Sequence, residues 1–255
     1  MKYNFDVEKA TKDCIAWIHS WYKGRNGTKA VVGISGGIDS SVVAALCAAA
    51  LGSNSVIGVI MPNGTQHDIE DAKNLCRHLS IPHYVFNIQG IYQEIIDLCN
   101  FGPGGVTEQT EINLPPRLRM SILFAVAQSN NAYVANTCNL SETYVGYDTL
   151  FGDSAGSFAP IAYFTKTEVR KIAQFLGLPD QLINKAPADG LCGQTDEESW
   201  GFSYDVLDKF LRYGDVEDQA ALDKILDMHR KSEFKRRMIH LEGFCYEPDY
   251  IRPLW

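Results

Sequence analysis

Ala30-Val31-Val32-Gly33-Ile34-Ser35-Gly36-Gly37-Ile38-Asp39-Ser40-Ser41 is the stretch whose reading decides the fold. The β-branched run Ala30–Ile34 predicts a buried strand. Ser35-Gly36-Gly37 breaks it, and a helix is expected from about Asp39 to Leu51. The glycines permit positive φ and let backbone approach an anion closely. Free N–H groups at the helix start, with the helix dipole, favour phosphate there. Ser35, Ser40 and Ser41 add hydroxyl donors, and Asp39 places a carboxylate where a magnesium ion would join the phosphates. The string is not GxGxxG, and it lacks the Gly-Lys-Ser/Thr ending of a Walker loop. The plainer alternative is a strand-to-helix turn with Asp39 as its cap.

Working outward, strands are expected at Ser55–Met61, ended by Pro62-Asn63-Gly64, and at His83–Ile88 and Ala132–Asn136. Helices are expected at Val7–Tyr22, Asp68–Leu79, Ile91–Leu98 and Leu114–Asn130, and a mobile loop at Phe101–Glu111. Strands alternating with helices predict an α/β fold, a doubly wound parallel sheet flanked by helices. Ligands bind such sheets at the carboxyl ends of the strands, so the loops at 35–40, 61–67 and 136–142 should converge. Beyond residue 165 the pattern is helical, at Lys166–Leu176, Ser203–Arg212 and Ala220–Lys231, with an irregular stretch from Ser232 to Trp255. The expectation is one domain, with a nucleotide-binding core over 1–165 and a helical C-terminal part with an irregular tail over 166–255.

Composition narrows the function classes. The 255 residues are 45% apolar and 11% aromatic, ordinary for a globular chain. The longest apolar run, Ser41–Leu51, falls far short of the ~20 residues of a membrane span. No charged segment followed by an apolar stretch opens the chain, so no signal peptide is expected. Twenty-three Lys and Arg against 31 Asp and Glu give a net charge of −8, which favours a small substrate over a nucleic acid. Seven cysteines, widely spaced and without a CxxC pair, read as reduced thiols of a cytoplasmic protein.

SGGIDS resembles the SGGxDS pyrophosphatase loop of the N-type ATP pyrophosphatase (PP-loop) superfamily. Further segments are similar to those of the ammonia-dependent NAD synthetase family. They are Met61-Pro62-Asn63-Gly64-Thr65-Gln66, Pro115–Met120, Asn136–Glu142, Gly146-Tyr147 with Phe151-Gly152-Asp153, Thr165–Arg170, Lys185-Ala186-Pro187 with Gln194–Glu197, and Phe202-Ser203-Tyr204. The resemblance runs from about residue 10 to 240. It implies ATP-dependent amidation of deamido-NAD with ammonia through an acyl-adenylate, giving NAD, AMP and pyrophosphate. The length leaves no room for the glutaminase domain of the glutamine-using members.

By motif position, the resemblance implies that Gly33, Ile34, Ser35, Gly36, Gly37, Ile38, Asp39 and Ser40 hold the triphosphate, with Met61, Thr137 and Lys166 also on ATP. Asp39 and Glu142 would bind magnesium, Mg2+ being the expected cofactor and ATP the co-substrate. Arg117, Phe234 and Lys235 would bind the dinucleotide, with Leu150 and Ser157 as weaker candidates. Asp153, near the ammonia site, would accept a proton from ammonium. Each has a plainer alternative. Glu142 and Lys166 would be solvated, Met61 core, Arg119 a structural ion pair, and Lys231, Lys235, Arg236 and Arg237 a solvated helix end. Three positions depart from the family pattern: Leu150 stands for a Lys or Arg, Ser157 for an Asp and Ala188 for a Ser or Thr. The first two leave open a mononucleotide substrate or a non-catalytic nucleotide-binding homologue. The partners implied are small molecules (ATP, deamido-NAD, ammonia) and a second copy of the chain, with no nucleic acid and no membrane. Leu114, Leu118, Ile122, Leu123 and Val126 would serve a homodimer interface or burial within one subunit.

Overall fold

The computed structural model describes residues 3–66, 69–185, 195–214, 216–238 and 243–246. In chain order the elements are α1 (Val7–Tyr22), β1 (Lys29–Gly33), α2 (Ile38–Leu51), β2 (Val56–Ile60), α3 (Ile69–His78), β3 (His83–Val85), α4 (Gln89–Asn100), α5 (Glu108–Ser129) and β4 (Ala132–Val134). There follow α6 (Leu140–Val145), α7 (Lys166–Phe175), α8 (Asp180–Ile183), α9 (Asp196–Trp200), α10 (Tyr204–Tyr213), α11 (Gln219–Lys231) and α12 (Glu233–Met238).

The four strands form one parallel sheet in the order β3-β2-β1-β4. Alternate residues of a strand point to opposite faces, and here they sort into two cores. Ala30, Val32, Val56 and Ile60 pack with α1, α2 and α7 through Ile18, Val42, Leu46 and Ile172. Val31, Ile57, Val59 and Val134 face α5 through Ala127, Ile122 and Leu123. Helices on both faces explain why β2 is buried along its whole length, Val56–Ile60. A third cluster joins α6 to α9, α10 and α11 through Leu140, Tyr144, Trp200, Leu207 and Ile225. Packing therefore crosses residue 165 in both directions: α7 belongs with the sheet, and α6 with the later helices. No helix among the described residues is long and apolar enough to cross a membrane.

Several elements differ from the sequence expectation. Pro115-Pro116 reads as the start of a helix, yet α5 begins at Glu108, capped by the Thr107 side chain, and carries both prolines inside it. The expected loop at 101–111 is therefore helical from 108. Strand β3 stops at Val85: the Phe86 and Ile88 N–H groups still reach the Ile60 and Pro62 carbonyls at 2.9 Å, but Pro62 has no N–H to return to the ladder. Within the stretch from Ser232 that was expected to be irregular, Glu233–Met238 forms α12. Helix α6, absent from the expectation, ends on Gly146 at φ +71°; a Cβ there would lie 2.0 Å from the Ser232 Cβ. Only glycine satisfies that turn and that contact together.

Candidate active site

The site is built at the carboxyl ends of β1 and β4. Gly36, at φ +82°, turns the chain from β1 into α2. The Ser35 hydroxyl accepts from the Gly37 N–H at 3.1 Å and meets the Ser40 hydroxyl at 3.1 Å. The Ser40 and Ser41 hydroxyls reach the Gly37 carbonyl at 3.1 and 2.7 Å. These bonds hold Ser35-Gly36-Gly37 as a formed cradle above the first turn of α2, where backbone N–H groups lack helical partners. Gln66 closes on it from the β2 side, its amide 3.5 Å from the Ser35 carbonyl. Lys185 approaches from the loop after α8, 3.4 Å from the Gly36 carbonyl and 3.0 Å from Asp71.

Three charged side chains meet beside the cradle. Lys166 Nζ lies 2.5 Å from Asp39 Oδ2 and 3.0 Å from Glu142 Oε1, with only 3% of its side chain exposed. Each comes from the first turn of its own helix, α2, α6 and α7. The positive end of the helix dipole favours the two carboxylates and opposes the ammonium, so Lys166 depends on its two partners. Burial works against the Lys166 charge, but Asp39 and Glu142 outweigh it and hold its pKa above the usual lysine range. Burial pushes Glu142 up to about 7, with the Asp39 carboxylate adding to the rise and Lys166 opposing it.

Asn139 connects the parts. Its side-chain oxygen caps α6 by accepting from the Glu142 N–H at 3.0 Å, and its amide donates to Asp39 Oδ1 at 2.9 Å. The Asn139-x-x-Glu142 spacing is a capping box; the reach across to Asp39 was not legible in the sequence. Tyr204, fully buried on α10, lay in a family-like segment but had no role assigned from the sequence. Its hydroxyl donates to Asp196 Oδ2 at 2.7 Å and sits 3.4 Å from Glu142 Oε1, while its ring lies 5.0 Å beneath Lys166 Nζ.

A second group surrounds the loop after α6. Asp153 Oδ1 accepts from the Thr149 N–H at 2.9 Å, and its carbonyl accepts from the buried Asn136 amide at 2.8 Å. Asp153 reaches solvent, but protein crowds its other sides; that lost hydration, with the nearby Asp148 carboxylate, pushes it up to about 6. Arg117 is exposed and donates to the Leu150 carbonyl at 3.3 Å. Arg119 donates to the Met61 carbonyl at 3.0 Å; burial lowers its pKa, and the Asp153 charge pulls it back up.

The remaining candidates separate. The Met61 side chain is buried beside Gly33 in the core layer under α5. Thr137 is half-buried in the loop following β4. The Ser157 hydroxyl accepts from the Val134 N–H at 3.2 Å, so it extends the pairing of β4. Lys235 donates to the Gly146 carbonyl at 2.7 Å and to the Asp148 carbonyl, while Phe234 is exposed. The basic cluster is not one surface. Lys231 and Arg237 pair with Asp227 and Glu233 along their own helices, and Arg236 is buried against the Tyr144 carbonyl and Ser232. Ala188, with Ala186, Pro187 and Gln194 of the family-like segments, lies outside the described residues.

Two carboxylates sharing one ammonium suit a hard divalent cation. Asp39 and Glu142 offer oxygen donors, and a dication beside them would offset the burial that disfavours the Glu142 charge. Among the described residues no group of three or more potential metal-ligating side chains gathers, so phosphate oxygens or water would complete the shell.

A parallel sheet with a Ser-Gly-Gly loop after β1, and Asp, Glu and Lys converging beside it, defines a PP-loop protein. The chain belongs to the NAD synthase family, whose model matches residues 10–239. It is 43% identical to an NH(3)-dependent NAD(+) synthetase from Methanococcus aeolicus, over 81% of this chain and 82% of that protein. Among solved structures it resembles an NMN synthetase from Francisella tularensis, with TM-score 0.85 and 32% identity, over 94% of this chain and all of the other. It also resembles an NH3-dependent NAD synthetase from Campylobacter jejuni, with TM-score 0.76 and 29% identity, over 93% and 99% of the two chains.

Proposed function

We propose that this chain is an ammonia-dependent, AMP-forming ligase that converts deamido-NAD to NAD. The observation that carries the reading is the meeting of Lys166, Asp39 and Glu142 at the Ser35-Gly36-Gly37 cradle. A carboxylate is a poor electrophile, and adenylation gives it a leaving group. The nicotinate carboxylate attacks the α-phosphate of ATP, pyrophosphate leaves, and ammonia then displaces AMP from the acyl-adenylate. No protein nucleophile is needed, so the protein's task is positioning and charge stabilisation.

The cradle N–H groups and Ser35 would grip the pyrophosphate. Lys166, already poised between two carboxylates, would neutralise charge on the α-phosphate as the adenylyl group transfers. Asp39 and Glu142 would hold Mg2+, which when bound supplies further charge neutralisation on the phosphates. Met61 and Thr137 would border the ATP. Arg117 and Lys235 frame the loop at 146–153, Arg117 free at its guanidinium tip to meet a phosphate and Lys235 fixing the loop from behind. Asp153, raised to about 6, would take a proton from ammonium near neutral pH.

The reading extends to a single-domain homodimer in a reducing, cytoplasmic setting. Cys14, Cys47, Cys76 and Cys138 are buried thiols that form no disulfide, which supports the setting. Strand β3 is exposed throughout, and Tyr84, Phe86 and Ile91 keep 40–49% of their surface open beside Ile122 and Val126 of α5. An exposed apolar edge strand is an association surface, and a second copy of this face would cover it.

A second reading, amidation of nicotinate mononucleotide, is supported by the likeness to the NMN synthetase fold and by Leu150 and Ser157, which leave this part of the site without the family's cation and anion. Incubation with ATP, Mg2+, ammonia and each nicotinate nucleotide, reading AMP and the amide, separates the two. Higher kcat/KM for deamido-NAD supports the first reading, and higher kcat/KM for the mononucleotide replaces it.

A further inference from the structure

Helix α10 presents three polar residues four apart, Tyr204, Asp208 and Arg212, which therefore share one face. Each grips an element that carries the active-site charges. Tyr204 sits against Glu142 and Lys166, as described above. Arg212 clasps Glu168 with Nε at 2.8 Å and Nη2 at 2.5 Å, and Glu168 in turn caps α7 through the Thr165 N–H. Asp208, at the centre, is 4% exposed. Its Oδ1 accepts from the Ser141 hydroxyl at 2.5 Å and its Oδ2 from the Thr167 N–H at 2.8 Å. The Ser141 hydroxyl itself accepts from the Lys166 N–H at 3.0 Å.

Ser141 precedes Glu142, and Thr167 follows Lys166. One buried carboxylate thus ties together the starts of α6 and α7, the helices that deliver Glu142 and Lys166 to Asp39. We propose that Asp208 is a positioning residue for the reaction: by clamping Ser141 and Thr167 it sets the spacing of the Glu142 and Lys166 side chains at Asp39. The inference rests on the ligase reading for its catalytic consequence.

Burying a carboxylate is unfavourable unless hydrogen bonds and a nearby charge compensate, and Arg212 one turn away supplies only the second. Packing alone would be met at this position by a leucine, such as neighbouring Leu207 and Leu211. What the carboxylate adds is two acceptors aimed at two different helix starts. Because α10 belongs to the packing cluster shared with α6, α9 and α11, Asp208 also couples that layer to the site across 67 and 41 residues of sequence.

The test compares full-length wild type, Asp208→Asn, Asp208→Ala and Ser141→Ala. It measures kcat and KM for ATP, melting temperature, and amide exchange at Lys166 and Thr167. A misplacement of order 1 Å lowers turnover about 100-fold, so Asp208→Ala should lose about that factor in kcat with KM for ATP within about threefold. Asp208→Asn keeps one acceptor and should retain more activity than Asp208→Ala. In both, exchange at Lys166 and Thr167 should accelerate. Folded variants with wild-type kcat overturn the inference even where melting falls, since lost packing alone explains that. Should Asp208→Ala not fold, Ser141→Ala, which removes a single hydroxyl, decides by the same criteria. A wild-type chain that forms no AMP refutes the ligase reading instead. The clamp is then judged on exchange, and unchanged rates at both amides in Asp208→Asn overturn it.

Discussion

Replacing Lys166 with methionine keeps the side chain's length and removes its charge. The ammonium lies 2.5 Å from Asp39 and 3.0 Å from Glu142 and is almost fully buried, so two carboxylates are left facing each other without a cation. Breaking a buried ion pair from one side costs about 3–5 kcal/mol. In a domain of this size each kcal/mol lowers the melting temperature by about 2–4 °C, so the expected drop at pH 8 is about 6–20 °C. The deficit should depend on pH. Burial and Asp39 already raise Glu142 to about 7, and Lys166 is the group that opposes them. Without it Glu142 protonates more readily, and at pH 5.5 one of the two charges is gone. Asp39 keeps its hydrogen bond from Asn139 at 2.9 Å, and the deficit should shrink to about 2 kcal/mol or less. Thermal unfolding of wild type and Lys166→Met at pH 5.5 and 8 reads both numbers. A deficit below about 1 kcal/mol at pH 8, the range of an exposed pair, or one equal at the two pH values, would refute the claim that Lys166 holds the two carboxylates together.

Further outcomes follow from the same geometry. In the wild-type chain without ligands, Glu142 binds its proton more tightly folded than unfolded, so stability should fall as pH rises from about 4.5 to about 7, by about 3 kcal/mol from this group. Asp153 acts in the same direction between about 4 and about 6. Glu142→Gln should flatten the higher part of that dependence; a slope unchanged by the substitution would remove Glu142 as its source. Asp153→Asn is expected to keep ATP-dependent pyrophosphate release and lose amidation, and normal NAD formation would eliminate Asp153 as the proton acceptor. Phe86→Lys, directly after the exposed edge strand, should convert a dimer to a monomer in sedimentation, whereas an unchanged mass would place the interface elsewhere.

What the sequence disclosed, and what it withheld, divides by range of interaction. The turn from β1 into α2 was legible because glycines, serines and a β-branched run act within about ten residues of one another. The alternation of strand and helix was legible for the same reason, down to the matching bounds of α1. Pro115-Pro116 misled because proline is a local start signal, while α5 is held through them by its buried face against the sheet. The candidate residues show the same division. Asp39, Glu142 and Lys166 were named by motif, yet their meeting depends on contacts spanning 127 and 24 residues. Asn139 stood in the sequence only as part of the Asn136–Glu142 segment, not as the anchor of Asp39. Lys235 was readable as a cation, but its engagement with the Gly146 carbonyl, 89 residues away, was not. Tyr204 lay in a family-like segment without an assigned role and Asp208 left no signal, since a tyrosine and an aspartate on an amphipathic helix are ordinary until the fold turns them toward α6 and α7.

The central claim is that the Ser35–Ser40 cradle, with Lys166, Asp39 and Glu142, drives adenylation of a nicotinate carboxylate. Its most direct measurement is the product balance from ATP, Mg2+, ammonia and deamido-NAD. The account predicts AMP, pyrophosphate and NAD in one-to-one-to-one ratio, with all three lost in Asp39→Asn. Formation of ADP and phosphate, or turnover that survives Asp39→Asn, would contradict it.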